Sequence, residues 1–384
     1  MLITIALREC RRMTREPLYL MAIILPPLLC YVLFTSLMAA GLPTRLPAAV
    51  VDMDGSSTSR AMVRNLGAFQ HTDIVAHYPS AHEAFDAMRR GEVYGFYLIP
   101  QGTEAEVMTG KSPLVSFYLN YAYLIAGSLL YEDMRTLSEL TDAGIGMQLL
   151  YAHGAVSWQV EAVLQPIALE THPLHNPWLN YSVYLNNTLM PGVLALMVLL
   201  VTVYSIGTEV KHGTVRQWLA MSNGQILPAM VGKMLPQTTL FILMALLGNA
   251  WLYGYLHFPL EGGVWPMLMA STLLVLASQG LGVILFCLFP WMRMAMSAAA
   301  LWGVMSFSIS GFSFPAMGMS ADLQALNHLF PLRHYFLIYT HSALNGYPIH
   351  DTAGAYVALS LFALLPLLCL KRLRRVMLTY KYME

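Results

Sequence analysis

Few residues in this chain could do chemistry by type and spacing, and each group lacks an essential member. Residues 105–112 read AEVMTGKS, close to the glycine-rich loop whose backbone N–H groups cradle a nucleotide's phosphates. Ala105 stands where that loop requires its first glycine, so no ATP site is expected here. Twelve histidines invite a metal hypothesis. The closest groups are His71, His77 and His82, and then His172 and His175, neither at a recognised ligand spacing. No metal and no cofactor is therefore expected on this chain. There is no GxSxG elbow for Ser-His-Asp chemistry, and the Glu132–Asp133 pair reads as a solvated helix face rather than an acid–base pair. Cys10, Cys30, Cys287 and Cys369 offer neither a disulfide framework nor a CxxC metal set. No catalytic residue is assigned, and the chain is not expected to be an enzyme.

The elements that must carry these residues are mostly apolar. Hydrophobic residues make up 57% of the 384 and charged ones only 11%, where a soluble domain carries about a quarter charged. The net charge of zero argues against a nucleic-acid partner. Uncharged stretches at 18–40, 188–206, 234–257, 266–289, 294–314 and 352–370 are each long enough to cross a bilayer. Pro26 and Pro27 should kink the first. That stretch is too long for a signal-peptide core and lacks a clear small-residue cleavage site, so no cleavable signal is expected. Before it, residues 1–17 place Arg8, Arg11, Arg12 and Arg15 on one helical face and Leu2, Ala6, Cys10 and Met13 on the other. Such a helix lies in the membrane plane, where anionic lipid is found. The N-terminal segment, the loop at 209–233, the turn at 290–293 and the tail at 371–384 together hold 13 of the 21 cations. The short loops opposite hold only Arg333, which puts both termini in the cytoplasm.

Residues 41–186 differ from the rest. They hold 14 of the 21 acidic residues, and strands at 48–52, 94–100 and 113–120 alternate with helices at 56–69, 81–92 and 121–150. That alternation implies an α/β domain. Asp54–Gly55 supplies a turn and Ser56 or Ser57 a helix cap.

The best-defined loop lies at 207–236, GTEVKHGTVRQWLAMSNGQILPAMVGKMLP. Thr214 and Gln217 have capping-box spacing. Val215, Trp218 and Leu219 line one side of a short helix that Asn223–Gly224 can end in a left-handed turn. A helix of about two turns is unstable alone and must lie against something. One support is the membrane surface, with Trp218 at the headgroups and Lys211, Arg216 and Lys233 facing anionic lipid. The other is a groove on a cytoplasmic partner.

Glu209, Gly213, Thr214, Gln217, Leu219 and then Gly232–Lys233 resemble the "E…GT…L…GK" loop of ABC-2 type permeases. VVDMDGSSTS at 50–59 and GEVYGFYLIP at 91–100 resemble the extracytoplasmic domain of that family's multidrug-exporter-like branch. GFSFPAMGMSADLQALNHLFPLRHYF at 311–336 resembles its "FP…L…L.PL.H" hairpin. In it Ser320 can cap a helix with Asp322 in the first turn and Leu323, Leu326 and Phe330 on one side, ended by Pro331. The bland reading is an interfacial helix anchoring two spans. Members commonly have an acid after GT and a proline soon after the helix, where this chain has Val215–Arg216 and 221–223 (MSN).

The resemblance implies an α-helical polytopic membrane protein of six transmembrane helices with an inserted extracytoplasmic α/β domain. Its parts are an interfacial helix at 1–17, the first span at 18–40, the α/β domain at 41–186, spans two to six within 187–370 and a basic tail at 371–384. A coupling helix near 209–224 would meet the ATPase through Glu209, Gly213, Thr214, Gln217, Trp218 and Leu219. An extracytoplasmic gate near 315–335 would use Phe314, Pro315, Leu326 and Pro331. The implied partners are an ABC ATP-binding subunit carrying ATP and Mg, a second permease copy or a paralogue, the lipid bilayer, and a periplasmic adaptor. The implied setting is a bacterial inner membrane and the implied activity multidrug-type export. Spans without formal charges lack a proton or ion relay and suit an amphiphilic or lipophilic cargo. Asn249 and Gln279 are the polar candidates for its pathway, although such residues often link helices instead. A gradient-driven transporter and a membrane sensor are the competing classes. A proline at Val215 is expected to stop export without preventing insertion.

Overall fold

The structure, a computed structural model, describes residues 1–109, 111–164, 172, 174–177 and 179–379. Gly110 of the near-miss phosphate loop, Pro173 between the paired histidines and Lys381 of the basic tail lie outside the described residues. The chain divides into two compact units: Met1–Gly41 with Pro173–Glu384, and Leu42–His172.

The first unit opens with α1 (Leu2–Arg15) and α2 (Pro17–Leu37). α2 runs as one helix through Pro26 and Pro27. Ile5, Glu9 and Met13 recur at i, i+4 and i+8 and are the buried positions of α1, so a third face of this helix, between its basic and apolar ones, packs on protein.

The second unit holds a four-stranded sheet ordered β2-β1-β3-β4. β1 (Leu46–Asp52) lies at its centre, parallel to β2 (Thr72–His77) and to β3 (Gly95–Ile99), while β4 (Ser116–Leu119) runs antiparallel to β3. The run AAVV of β1 is apolar at every position because both sheet faces are covered. Ala48 and Val50 face α3 (Ser57–Leu66) and α6 (Leu124–Ala152), and Ala49 and Val51 face α4 (Ala81–Arg89). Ser56 caps α3 by accepting the Ser59 N–H at 3.0 Å, and Gly55, at φ 62°, makes the turn that the sequence implied. β2, α5 (Thr103–Met108) and α7 (Ser157–Leu164) were not expected from the sequence pattern. Ala105 of the near-miss phosphate loop sits inside α5. Asp133 is not on a solvated face as expected: it is buried and accepts a hydrogen bond from Thr72 at 2.8 Å.

The chain then returns to the first unit with α8 (Tyr181–Lys211), α9 (Val215–Ala220), α10 (Ile226–Asn249), α11 (Val264–Leu288), α12 (Met292–Ile309), α13 (Ala321–Asn327), α14 (Pro331–Ile338), α15 (Ala353–Leu364) and α16 (Pro366–Thr379). Among the described residues, six stretches are long and apolar enough to span a membrane: α2, α8, Ile226–Tyr255, α11, α12 and Ile349–Thr379. The third continues α10 through a π-helical turn, and the sixth combines a 3₁₀ turn with α15 and α16. The chain is a helical polytopic membrane protein. α8 and α11 are 61% and 72% buried over their most apolar windows, against 22% for α2 and α12, which puts α8 and α11 at the bundle's centre.

Three helices outrun the apolar stretches that announced them, the last being α16, which continues nine residues beyond 370. α8 begins seven residues before 188, inside the stretch assigned to the α/β domain, and ends five beyond 206. α10 starts eight residues before 234. Glu209 and Lys233 therefore lie inside membrane-associated helices rather than in a surface loop, which corrects the expectation that such helices carry no charge.

Candidate functional site

The spacing of Glu209, Gly213 and Thr214 is that of one helix ending. α8 stops in a Schellman motif: the Thr214 N–H donates to the Glu209 carbonyl at 3.0 Å, and the Gly213 N–H to the Val210 carbonyl at 3.2 Å. Gly213 sits at φ +67°, where any side chain strains the backbone. The reversal brings the Thr214 hydroxyl back onto the Glu209 carboxylate, to which it donates. Thr214 is thus the N-cap of α9 by position but makes no side-chain cap, and the expected capping box with Gln217 is absent. α9 ends as the sequence implied. Asn223 is left-handed at φ 54°, and the Gly224 N–H closes on the Leu219 carbonyl at 2.9 Å.

Glu209 is the centre of a buried ionic network. Arg8 grips it bidentately at 2.8 and 3.0 Å, Arg12 donates at 2.9 Å, and Lys233 at 2.9 Å. With Thr214 its carboxylate accepts from five donor atoms. Lys233 also reaches Glu9 at 2.7 Å, and its ammonium lies 5.5 Å from the centre of the Trp218 ring. Glu9 accepts further hydrogen bonds from Tyr19 at 3.0 Å and Ser205 at 3.2 Å. Arg12 closes the rim on Glu16 at 3.1 Å. Three carboxylates (Glu9, Glu16, Glu209) meet three cations (Arg8, Arg12, Lys233), so the network is neutral. Glu9, Glu209 and Lys233 are at most 1% exposed. Desolvating such ions costs several kcal/mol each, which only this degree of pairing offsets.

Gly232 explains the other half of the "GK" pair. A Cβ there would stand 3.0 Å from Ile5 Cβ and 3.1 Å from the Leu2 carbonyl. The missing side chain lets α1 lie close on α10, and the next residue, Lys233, then meets Glu9 on α1.

The sequence expected α9 to need an outside support, and the structure supplies it from the chain itself. Trp218 is fully buried rather than at the headgroups, with its indole N–H donating to the Ala229 carbonyl at 3.3 Å. Val215 and Leu219 join it in a core shared with Ile5, Met230, Phe286 and Leu373. Lys233 faces carboxylates, not lipid. Of the residues proposed for ATPase contact, Glu209, Trp218 and Leu219 are buried and Thr214 is half-buried, while Gly213 and Gln217 are exposed. Arg216 and Ala220 complete the exposed side of α9. Sequence reasoning missed Glu9, Arg8, Arg12 and Lys233 as one set. The signal was the one acid of α1, Glu9, placed between Ile5 and Met13 on a helix that also holds four arginines.

The other singled-out residues are dispersed. Phe314 and Pro315 are exposed and Leu326 is half-buried. Pro331 does not merely end α13; it is buried at the first turn of α14, where a proline needs no hydrogen-bond partner. Ser320 precedes α13 without a side-chain cap, and Leu323 is exposed. Asn249 donates to Ser271 at 2.8 Å and borders a cavity of about 20 Å³, room for one water and not for a cargo. Gln279 accepts from Thr238 at 2.8 Å. Within one copy, both tie α10 to α11. Among the described residues, no three His, Cys, Asp or Glu side chains come together as metal ligands.

No match to this chain is found among curated proteins. The sequence model of one family, described as ABC-2 family transporter protein, matches residues 18–370. That match takes in all six candidate spans apart from Pro17 of the first and the last turns of the sixth, together with the inserted α/β domain and the segment that carries Glu209, Gly213, Thr214 and Lys233. The chain belongs to the ABC-2 transporter family, as a membrane-spanning component of the transporter.

Proposed function

We infer that this chain is the export permease of a pump whose ATP is hydrolysed on a separate subunit, and that the exposed side of α9 receives the mechanical stroke. The observation that carries the reading is the ionic network. A short helix driven by a partner can move spans only if it is fixed to them, and Glu209 and Lys233 fix α9, α8, α10 and α1 as one block. Contact with the ATPase then falls to Arg216, Gln217 and Ala220, with Gly213 at the edge. Glu209, Trp218 and Leu219 transmit the stroke rather than touch the partner. ATP-driven closure of two such partners would rock the spans and open a pathway between two permease copies, identical or paralogous. The apolar spans support an amphiphilic or lipophilic cargo of multidrug type. Phe314, Pro315, Leu326 and Pro331 would cover its outer exit, and the α/β domain would hold cargo or dock a periplasmic adaptor. The cation distribution supports a bacterial inner membrane with both termini and α9 in the cytoplasm.

The experiment is purification of tagged protein in mild detergent with its ATPase activity assayed, comparing wild type with an R216E/Q217A variant. Co-purifying activity that this surface variant loses supports the reading. Wild-type protein that exports without any ATPase, in conditions that keep other membrane complexes intact, sinks it. One observation favours a second reading: Glu9, Lys233 and Glu209 are buried ionisable groups of the kind a proton-driven transporter uses. Their complete pairing fits a structural lock better. Transport driven by a pH gradient alone, and lost in Glu9→Gln, would reverse that preference.

A further inference from the structure

We propose that α1 and α10 form a binding site for one anionic phospholipid, its phosphate seated against Arg11 and Arg15 and an acyl chain in the groove beside Leu7 and Leu235. The proposal rests on the chain's membrane character and not on its coupling to an ATPase.

The charge comes first. A cleft of about 460 Å³ is lined by Arg8, Arg11, Arg12 and Arg15, with His212, Thr214 and the Glu16 carboxylate at its rim. Arg8 and Arg12 are committed to Glu209, and Arg12 to Glu16 as well. The network behind them is neutral, so it compensates nothing further. Arg11 and Arg15 are both exposed and make no ion pair among the described residues. Spaced i, i+4, they are neighbours on the helix surface. Two adjacent uncompensated guanidiniums, with a hydroxyl and an imidazole nearby, have the chemistry that grips a phosphate.

The apolar part comes second and is independent. On the same helix a groove of about 500 Å³ runs between α1 and α10, with Ile3, Leu7, Leu235 and Leu240 in its walls and almost no polar surface. Ile3 is 76% exposed and Leu7 56%, far more than a water-facing helix leaves bare, so lipid covers this side. On the α1 wheel Leu7 lies next to Arg11, and Arg15 follows on the basic side. The boundary between groove and cleft therefore runs along one edge of α1. A phosphodiester sits at that boundary in a bilayer, with its chains on the apolar side. An acidic protein segment would match the arginines but would leave the groove uncovered, and a free phosphate would do the same.

The test uses the full-length protein in detergent, titrated with short-chain phosphatidylglycerol, with short-chain phosphatidylcholine and with inorganic phosphate, and read by native mass spectrometry. Phosphatidylglycerol should bind more tightly than both. Each of Arg11→Gln and Arg15→Gln should weaken it about fivefold, while Lys371→Gln on α16, an exposed cation remote from α1 in sequence, should not. Leu7→Ser should weaken the lipid and leave any phosphate binding unchanged. Equal affinity for the two lipids, or retention of full affinity by R11Q/R15Q, overturns the proposal. So does inorganic phosphate that binds as tightly as phosphatidylglycerol, which would make this an anion site only. If neither lipid binds but R11Q/R15Q loses a co-purifying ATPase, the cleft belongs to a protein partner and the proposal is wrong. Since the side chains of Arg11 and Arg15 make no hydrogen bond or ion pair among the described residues, unchanged elution of their variants on gel filtration separates lost binding from lost folding.

Discussion

Lys233 holds its ammonium 2.7 Å from Glu9 and 2.9 Å from Glu209, with none of the three exposed beyond 1%. Removing one partner from such a set strands the others in a medium that cannot solvate them, a loss of about 3–5 kcal/mol. Lys233→Met should therefore lower the thermal unfolding temperature of detergent-purified protein sharply. Glu9→Gln added to it should cost less than the two single changes summed, by roughly 0.5–3 kcal/mol of coupling. Strict additivity would mean that the ammonium does not hold Glu9. Thr214 gives a finer test. If it acted as half of a capping box, Thr214→Val and Gln217→Ala would destabilise alike. Because its hydroxyl serves a carboxylate instead, Thr214→Val should cost about 1.5–3 kcal/mol, Thr214→Ser little, and the exposed Gln217→Ala nearly nothing. Equal losses at 214 and 217 would restore the cap.

At the level of the element, α9 is short and depends on its packing, and that changes what a proline test means. Val215 is the first helical residue, where proline is tolerated because the N–H it lacks is unpaired anyway. The break expected there from the sequence does not follow, and Val215→Pro acts mainly through lost packing. Ala220 is exposed and its N–H falls within the i→i−4 ladder. Ala220→Pro should abolish ATP-dependent export while the protein still inserts and still elutes as a folded species. Normal export by that variant would show that an intact α9 is not required. The site was legible only where it is local. Asn223–Gly224 and the apolar trio Val215, Trp218 and Leu219 follow from helix-end chemistry and from period. The Glu9–Lys233 pair spans 224 residues of sequence and left no local trace. Hydropathy also hid it, because an apolar run ends at its first charge, whereas α8 and α10 continue for as long as their charges find partners.

For the whole molecule, six apolar runs and the strand–helix alternation were enough to give the architecture, since bilayer thickness and sheet pleating each impose a period that sequence must obey. β2 escaped because Thr72–His77 lies toward the sheet's edge with alternate residues exposed and a polar composition. The α/β unit has an acid-sensitive corner. The Ser56 hydroxyl, then the backbone N–H groups of Glu104 and Gly102, hold the Asp54 carboxyl below the usual range. Ser57 and then Thr58 do the same for Glu104. Carboxyls depressed in the folded state contribute stability that is complete above the ordinary carboxylate range and fades as pH falls through their lowered values. Glu104→Gln should therefore flatten the acid limb of that unit's unfolding, followed by hydrogen exchange in the full-length protein; an unchanged limb would remove Glu104 as a cause. Orientation follows from a different asymmetry. Lys211 lies exposed at the end of α8, among the cations that the positive-inside rule assigns to the cytoplasm. Glu261 lies in the loop between α10 and α11. One span separates that loop from the α9 region, so the same count of cations puts it outside. In a cysteine-free chain, a membrane-impermeant maleimide applied to intact cells should spare a Lys211→Cys variant until the membrane is permeabilised, and should label a Glu261→Cys variant at once. The reverse pattern would place α9 and its ionic network on the face that no cytoplasmic ATPase can reach, and the coupling role would then have to be abandoned even though the fold stands.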